Sequence, residues 1–145
     1  MELVQDILET KGHSVHTIGP DETVQFALAK MAEANVGALM VTDGTGRIVG
    51  VFSERDFARR AVTHQDEVFS VPVRDFMTTR IRSVPAGTSI DTCMALMTTE
   101  RIRHLPIVED GHLTGVISIG DVVKAIVDEK DTVIEQLEHY ISSSI

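Results

Sequence analysis

The chain has 145 residues, 43% hydrophobic and 24% charged, with a formal net charge of -9 at neutral pH. That apolar content is enough for a packed core and argues against a disordered chain. The acidic balance argues against nucleic acid, which is bound by neutralising phosphates, and against adsorption to an anionic membrane surface.

The opening stretch, Met1 to Asp6, carries neither a basic segment nor an apolar one of the secretory kind. No apolar run approaches the ~18 residues that a spanning helix needs, so the expected setting is cytoplasmic with no membrane partner. Val4 to Leu8 opens a short helix that stops near Gly12. Val15 to Ile18 reads as a short strand closed by Gly19-Pro20. Val24, Ala27, Leu28 and Met31 then recur at i, i+3, i+4 and i+7, one apolar face of a helix. Ala38 to Thr42 and Arg47 to Phe52 read as two strands, and Asp43-Gly44 between them is a hairpin signal. A helix follows from Ser53 to about Val62, and Thr63 to Pro72 reads as a polar linker.

The second half repeats that order. Val73 to Met77 echoes Val4 to Leu8, and Ser83-Val84-Pro85 echoes Ile18-Gly19-Pro20. Ile90, Cys93, Met94 and Met97 give the same helical face 66 positions on. Cys93, the sole cysteine, cannot form an intrachain disulfide; it reads as a buried inert thiol, with a redox role as the alternative. Leu105 to Val108 and Leu113 to Ser118 are the strand pair, with Asp110-Gly111 at the turn. The last helix starts near Ser118 and runs to about Tyr140, with an apolar stripe of Val123, Ile126, Val127, Ile134, Leu137 and Ile141. Each half is β-α-β-β-α, an α/β (α+β) class, divided as 1–70 and 71–145. Neither half has strands enough to bury its own sheet, so together they form one module. The stripe beyond Lys130 has no counterpart in the first half and calls for a second copy or for folding back on its own domain.

Two stretches stand out: Gly50-Val51-Phe52-Ser53-Glu54-Arg55-Asp56 and Gly115-Val116-Ile117-Ser118-Ile119-Gly120-Asp121, 65 positions apart. In each a strand runs into Ser-x-x-Asp and then a helix. As local structure this is a helix cap, with serine accepting from a first-turn amide and aspartate complementing the helix dipole. As function, a helix start at a strand end suits a phosphate, and a carboxylate there can accept both hydroxyls of a ribose cis-diol. Duplication strengthens the second reading. Ile102-Arg103-His104-Leu105-Pro106 places two basic side chains at a strand entrance, where Arg103 can fork onto a phosphate; the plain alternative is a solvated arginine and a satisfied histidine.

Other chemistries lack their residues. The P-loop pattern is missing, and Gly44, Gly46 and Gly50 have the wrong spacing for a dinucleotide fingerprint. His13 and His16 have no further ligands beside them in sequence to complete a zinc set, and Ser, His and Asp form no triad pattern. No catalytic and no metal site is expected, and an enzyme is not.

With these motifs the chain, from about Leu3 to Ile141, resembles a tandem pair of CBS (cystathionine β-synthase) domains of the small stand-alone type. The resemblance implies two repeats packed with pseudo-twofold symmetry, an extended C-terminal helix, self-association as a homodimer, and two clefts for adenine nucleotides. Carried over by position, one cleft takes Ser53, Arg55 and Asp56 with Ile102, Arg103, His104 and Pro106, and Thr78, Thr79 and Ile81 near the base. The other takes Ser118 and Asp121 with Thr17, Val36, Gly37 and Ala38. Gly37-Ala38 stand where the second repeat has Arg103-His104, so phosphate affinity there depends on Lys11 or on a different ligand. The function implied is a non-enzymatic sensor that binds AMP first, or ADP, ATP or NAD(H), and modulates a partner protein. The rival is a constitutive interaction module with degenerate clefts; a nucleotide hydrolase or transferase lacks a visible nucleophile and base.

Overall fold

The computed structural model describes residues 2–64 and 67–143. It is a mixed α/β protein whose described residues form α1 (Val4–Lys11), β1 (Thr17–Ile18), α2 (Val24–Ala34), β2 (Ala38–Thr42), β3 (Ile48–Ser53), α3 (Glu54–His64), a 3-10 turn at Val73–Asp75, α4 (Ile90–Glu100), β4 (His104–Glu109), β5 (His112–Ser118) and α5 (Ile119–Ser143). One sheet has the order β1-β2-β3 and the other pairs β4 with β5. The first half follows the expected β-α-β-β-α order. In the second half the opening strand shrinks to a single parallel bridge, Val84 with Ile107. Pro85 follows at once and has no N–H to extend a ladder.

The repeats share their punctuation. Thr23 caps α2 by accepting from the Phe26 amide at 3.1 Å, and Ser89 caps α4 by accepting from the Thr92 amide at 3.2 Å. Both helices end on a left-handed residue, Asn35 at φ 55° and Arg101 at φ 56°. The two Asp-Gly hairpins differ. Asp110 and Gly111 both have positive φ, the signature of a tight two-residue turn. Asp43 instead opens a longer loop, its Oδ1 accepting from the amides of Thr45 and Arg47 and the Thr45 hydroxyl, with Gly46 at φ 83°.

Contacts divide the chain into two compact units that do not follow the order of the repeats. One comprises Met1–His13, Val84–Ile107 and Gly115–Ile145; the other comprises Ser14–Ser83 and Val108–Thr114. The opening helix therefore sits with the second repeat. The Val4 and Gln5 amides donate to the carbonyls of Thr88 and Ala86, both at 2.9 Å, which satisfies first-turn donors that α1 cannot pair internally. The 3-10 turn does the same in the other unit, with Val73 donating to Glu22 and Arg74 to Pro20. The stretch echoing Val4 to Leu8 thus docks by the same bonds on the other repeat, while closing only one tight turn.

In the first of these units Val4, Ile7 and Leu8 of α1 join Ile90, Cys93, Met97, Leu105, Ile107, Ile117 and Val122 in one buried cluster. Burial pushes the Cys93 thiol up, consistent with an inert side chain. In α5 the core takes Val122 and Ala125, with Ile126 half-buried, and leaves Val123 and Val127 exposed. Of the first residues of the expected stripe, Ile126 packs on the core, while Val123 and Val127 do not and Val122 and Ala125 take their place. In the other unit β2 is buried over four successive residues, Ala38 to Val41. Leu39, Val41 and Phe52 pack with Val24, Ala27 and Met31 of α2, closed by Val68, Val73 and Phe76. Val68 and the half-buried Val71 lie in the segment expected to be a polar linker, whose residues 65 and 66 fall outside the described set. A fully buried side chain of this size contributes roughly 1.5–3 kcal/mol.

Candidate functional site

Each Ser-x-x-Asp corner is built by a strand that runs without a loop into a helix. At the first, β2 and β3 pair antiparallel with Ala38 opposite Ser53 and Leu39 opposite Phe52. This register brings Gly37 to the start of α3, where its carbonyl takes the Glu54 amide at 3.0 Å. At the second, the Arg103 carbonyl takes the Ile119 amide at 2.8 Å. Gly37 and Arg103 hold equivalent places, each satisfying the first amide of the helix in its own unit.

The first corner closes reciprocally. Asp56 N donates to Ser53 Oγ at 3.1 Å, and Asp56 Oδ2 accepts from Ser53 N at 3.0 Å and Ser53 Oγ at 2.9 Å. Asp56 Oδ1 accepts from Thr78 Oγ1 at 2.9 Å. Thr78 is held there by a two-way backbone bridge to Val51, at 3.0 and 2.9 Å. A Cβ on Gly50 would lie 2.5 Å from Met77 Sδ and 3.1 Å from the Thr78 carbonyl oxygen, so glycine is what allows the 77–78 segment to lie on β3.

The second corner has the same cap and a different neighbour. Asp121 N donates to Ser118 Oγ at 3.1 Å, and Asp121 Oδ2 accepts from Ser118 N at 2.8 Å. The same oxygen meets the Lys11 ammonium at 2.6 Å, and Lys11 also donates to the Val116 carbonyl at 2.9 Å. Burial draws the Asp121 carboxyl upward, but the hydrogen bonds from Lys11 and Ser118 and the Lys11 charge outweigh it and hold the group below the ordinary carboxylate range. Gly115 again admits the crossing segment: its Cβ would meet Leu8 Cδ2 at 2.9 Å.

Among the residues named from the sequence, Ser53, Asp56 and Thr78 come together in one unit, and Lys11, Ser118 and Asp121 in the other. Thr78, expected near a base, donates its hydroxyl to the Asp56 carboxylate. Thr17, Val36, Gly37, Ala38, Arg55, Thr79 and Ile81 belong to the unit of Asp56; Ile102, Arg103, His104 and Pro106 belong to that of Asp121. Arg55, Thr79 and Arg103 are exposed, His104, Thr17 and Ile81 half-buried. Ala38 and Pro106 are buried, while Val36 and Ile102 pack against the cores of their units. The close approaches at Gly50 and Gly115 escaped sequence reasoning, although two glycines 65 positions apart, each three before the serine, were the signal.

Among the described residues no helix is long and apolar enough to cross a membrane. No group of three or more His, Cys, Asp or Glu side chains there is arranged to hold a metal ion.

Comparison with known proteins adds the family. A family model described as "CBS domain" matches residues 4–63 and again 73–128. The "CBS domain-containing protein CBSX3, mitochondrial" of Arabidopsis thaliana is 34% identical over 146 residues, covering 95% of this chain and 71% of that protein. Among solved structures, the CBS-domain containing protein ATU1752 from Agrobacterium tumefaciens matches with a TM-score of 0.83 at 37% identity, covering 86% of this chain and 98% of that one. The structure of CBSX2 in complex with AMP matches with a TM-score of 0.72 at 27% identity, covering 90% and 99%.

Proposed function

The chain belongs to the CBS-domain family as a tandem pair of repeats, and from that premise we propose that it is a regulatory module that binds an adenine nucleotide, self-associates, and passes ligand occupancy on to a partner protein. The observation that carries the reading is the pair of corners, each with an aspartate carboxylate at a strand end and a helix N-terminus. We assign Asp56 and Asp121 to ribose hydroxyls, the helix starts to negative charge, and Arg103 and His104 to phosphate. AMP is the ligand proposed first, supported by the complex of the similar CBSX2 with AMP; ADP, ATP and NAD(H) are the comparators. No catalytic step is assigned. Occupancy acts by its differential affinity for two conformations or two partners.

One observation favours a second reading for one corner. Lys11 already neutralises Asp121, so that corner works equally well as a structural pin in a constitutive interaction module.

Calorimetric titration with AMP, ADP, ATP and NAD(H) tests the proposal, alongside mass spectrometry of small molecules released from the purified protein. We expect AMP to bind. Asp56→Ala should abolish one site while lowering stability by no more than the ~0.5–2 kcal/mol of a lost cap. Arg103→Ala should weaken AMP about ten- to a hundredfold, the worth of a charge-assisted contact. Absence of heat with all four nucleotides would leave the interaction module standing.

A further inference from the structure

The last contacts of α5 with a core are made by Val122, Ala125 and Ile126. From Val127 to Ser142 every residue of the helix is exposed. Sixteen helical residues span about 24 Å, more than four turns, and a bare helix of that length is marginal in water. Its sequence is not that of a solvated helix. Val127, Ile134, Leu137 and Ile141 are 49%, 51%, 56% and 59% exposed. With Val123 and Lys130 they alternate at steps of four and three, a heptad seam. A seam of period 3.5 matches one kind of surface, the side of another helix.

We propose that this seam is closed by α5 of a second copy, running antiparallel about a twofold axis at the level of Thr132. The register follows from the residues. An antiparallel pair about that point sets Val123 against Ile141, Val127 against Leu137, and Lys130 against Ile134 of the second copy, so every apolar seam residue meets a partner. The Lys130 stem lies over Ile134 and its ammonium reaches water. Val133 of each copy meets its counterpart beside the axis and widens the apolar strip. On the other flank Lys124 faces Glu138 of the second copy, twice in the dimer, an opposite-charge match. Asp131 meets its own counterpart there, with the two Lys130 ammonium groups one position away. A parallel pair in register stacks Lys130 on Lys130 inside the seam and sets Lys124 and Glu138 far apart. The charges therefore select the antiparallel arrangement. The inference rests on the self-association in the proposed function and names its surface; it uses no ligand and so stands whether or not a nucleotide binds.

The test uses the whole chain. Light scattering at micromolar concentration should give a dimer, and Leu137→Asp should weaken it roughly a hundredfold or more, because the change strikes the seam twice. Leu137 lies outside the buried clusters, so the variant should remain folded, its melting lowered only by the concentration-dependent share that dimerisation contributes. Orientation is read by cysteines, since the native Cys93 is buried. Val127→Cys chains mixed with Leu137→Cys chains should form the mixed disulfide under mild oxidation, and Val127→Cys alone should not. Lys124→Glu should weaken the dimer severalfold and adding Glu138→Lys should restore it. A monomeric parent chain, folded back or waiting for another protein, would overturn the proposal. So would a dimer indifferent to Leu137→Asp, or a disulfide formed by Val127→Cys with itself.

Discussion

At Asp56 the carboxylate is met by neutral donors: the Ser53 amide and hydroxyl on one oxygen, the Thr78 hydroxyl on the other. At Asp121 the same strand, serine and helix start carry a different load, with the Ser118 amide and the Lys11 ammonium on one oxygen. The cap itself is dictated by Ser-x-x-Asp and is therefore duplicated. The group that reaches the carboxylate comes from the crossing segment, and there the repeats diverge: an extended segment delivers Thr78, the end of α1 delivers Lys11. A hydroxyl donor can be exchanged for a ribose hydroxyl with no charge left behind. Displacing an ammonium strands two charges unless the ligand supplies an anion. Within the proposed function, this makes Asp56 the corner suited to a diol and Asp121 the corner that demands a counter-charge for Lys11.

The largest effect that separates the corners should come from their glycines. Gly50→Ala drives a methyl into Met77 and towards the Thr78 carbonyl oxygen, which the Val51 bridge holds in place. Gly115→Ala meets only the Leu8 side chain. Overpacking costs about 1–3 kcal/mol, and we expect Gly50→Ala at the upper end and Gly115→Ala at the lower, by denaturant unfolding. Equal losses would mean that the two crossing segments yield equally and that the backbone bridge adds no stiffness.

A smaller effect belongs to Thr78. Thr78→Val keeps the shape and the Val51 bridge but removes the donor to Asp56 Oδ1. The bond is exposed, so the cost should fall at or below the lower part of the ~0.5–1.5 kcal/mol range. The same change frees a lone pair at the carboxylate, so a nucleotide bound there should be held at least as well. A loss of nucleotide affinity much larger than the loss of stability would make Thr78 a ligand contact and not a placeholder.

The helices α2 and α4 were legible because one face alone is apolar: Val24, Ala27 and Met31 are buried, as are Ile90, Cys93 and Met97. The corners were legible because their cap chemistry is local. The first turns of α5 were not, since Val122-Val123 and Ile126-Val127 are apolar doublets and periodicity cannot choose between adjacent phases. Packing chose Val122 and Ala125. Nor could the repeat show which core α1 joins, because a repeat gives the order of elements and not the copy they dock on; the bonds to Ala86 and Thr88 decide that. The bond from Thr78 to Asp56 was not legible either, because the position of Thr78 depends on a bridge to Val51 across 27 residues of chain.

The smallest expected effect is the most specific to one corner. The Lys11 and Asp121 side chains are 35% and 26% exposed, so their pair is worth only about 0.2–1 kcal/mol. Lys11→Met keeps the length of the stem and removes the charge. Asp121 in the folded chain titrates below its ordinary range. Its contribution to stability is therefore fully present above the pKa it has when unfolded, and is lost as pH falls through the lowered folded value. At neutral pH Lys11→Met should be less stable than the parent by that fraction of a kcal/mol. In acid, once Asp121 is protonated in both chains, the two unfolding curves should converge, and added salt should narrow the gap as well. A gap that survives both acid and salt would show that Lys11 stabilises its unit through its aliphatic stem, and that the contrast between the corners is one of packing and not of charge.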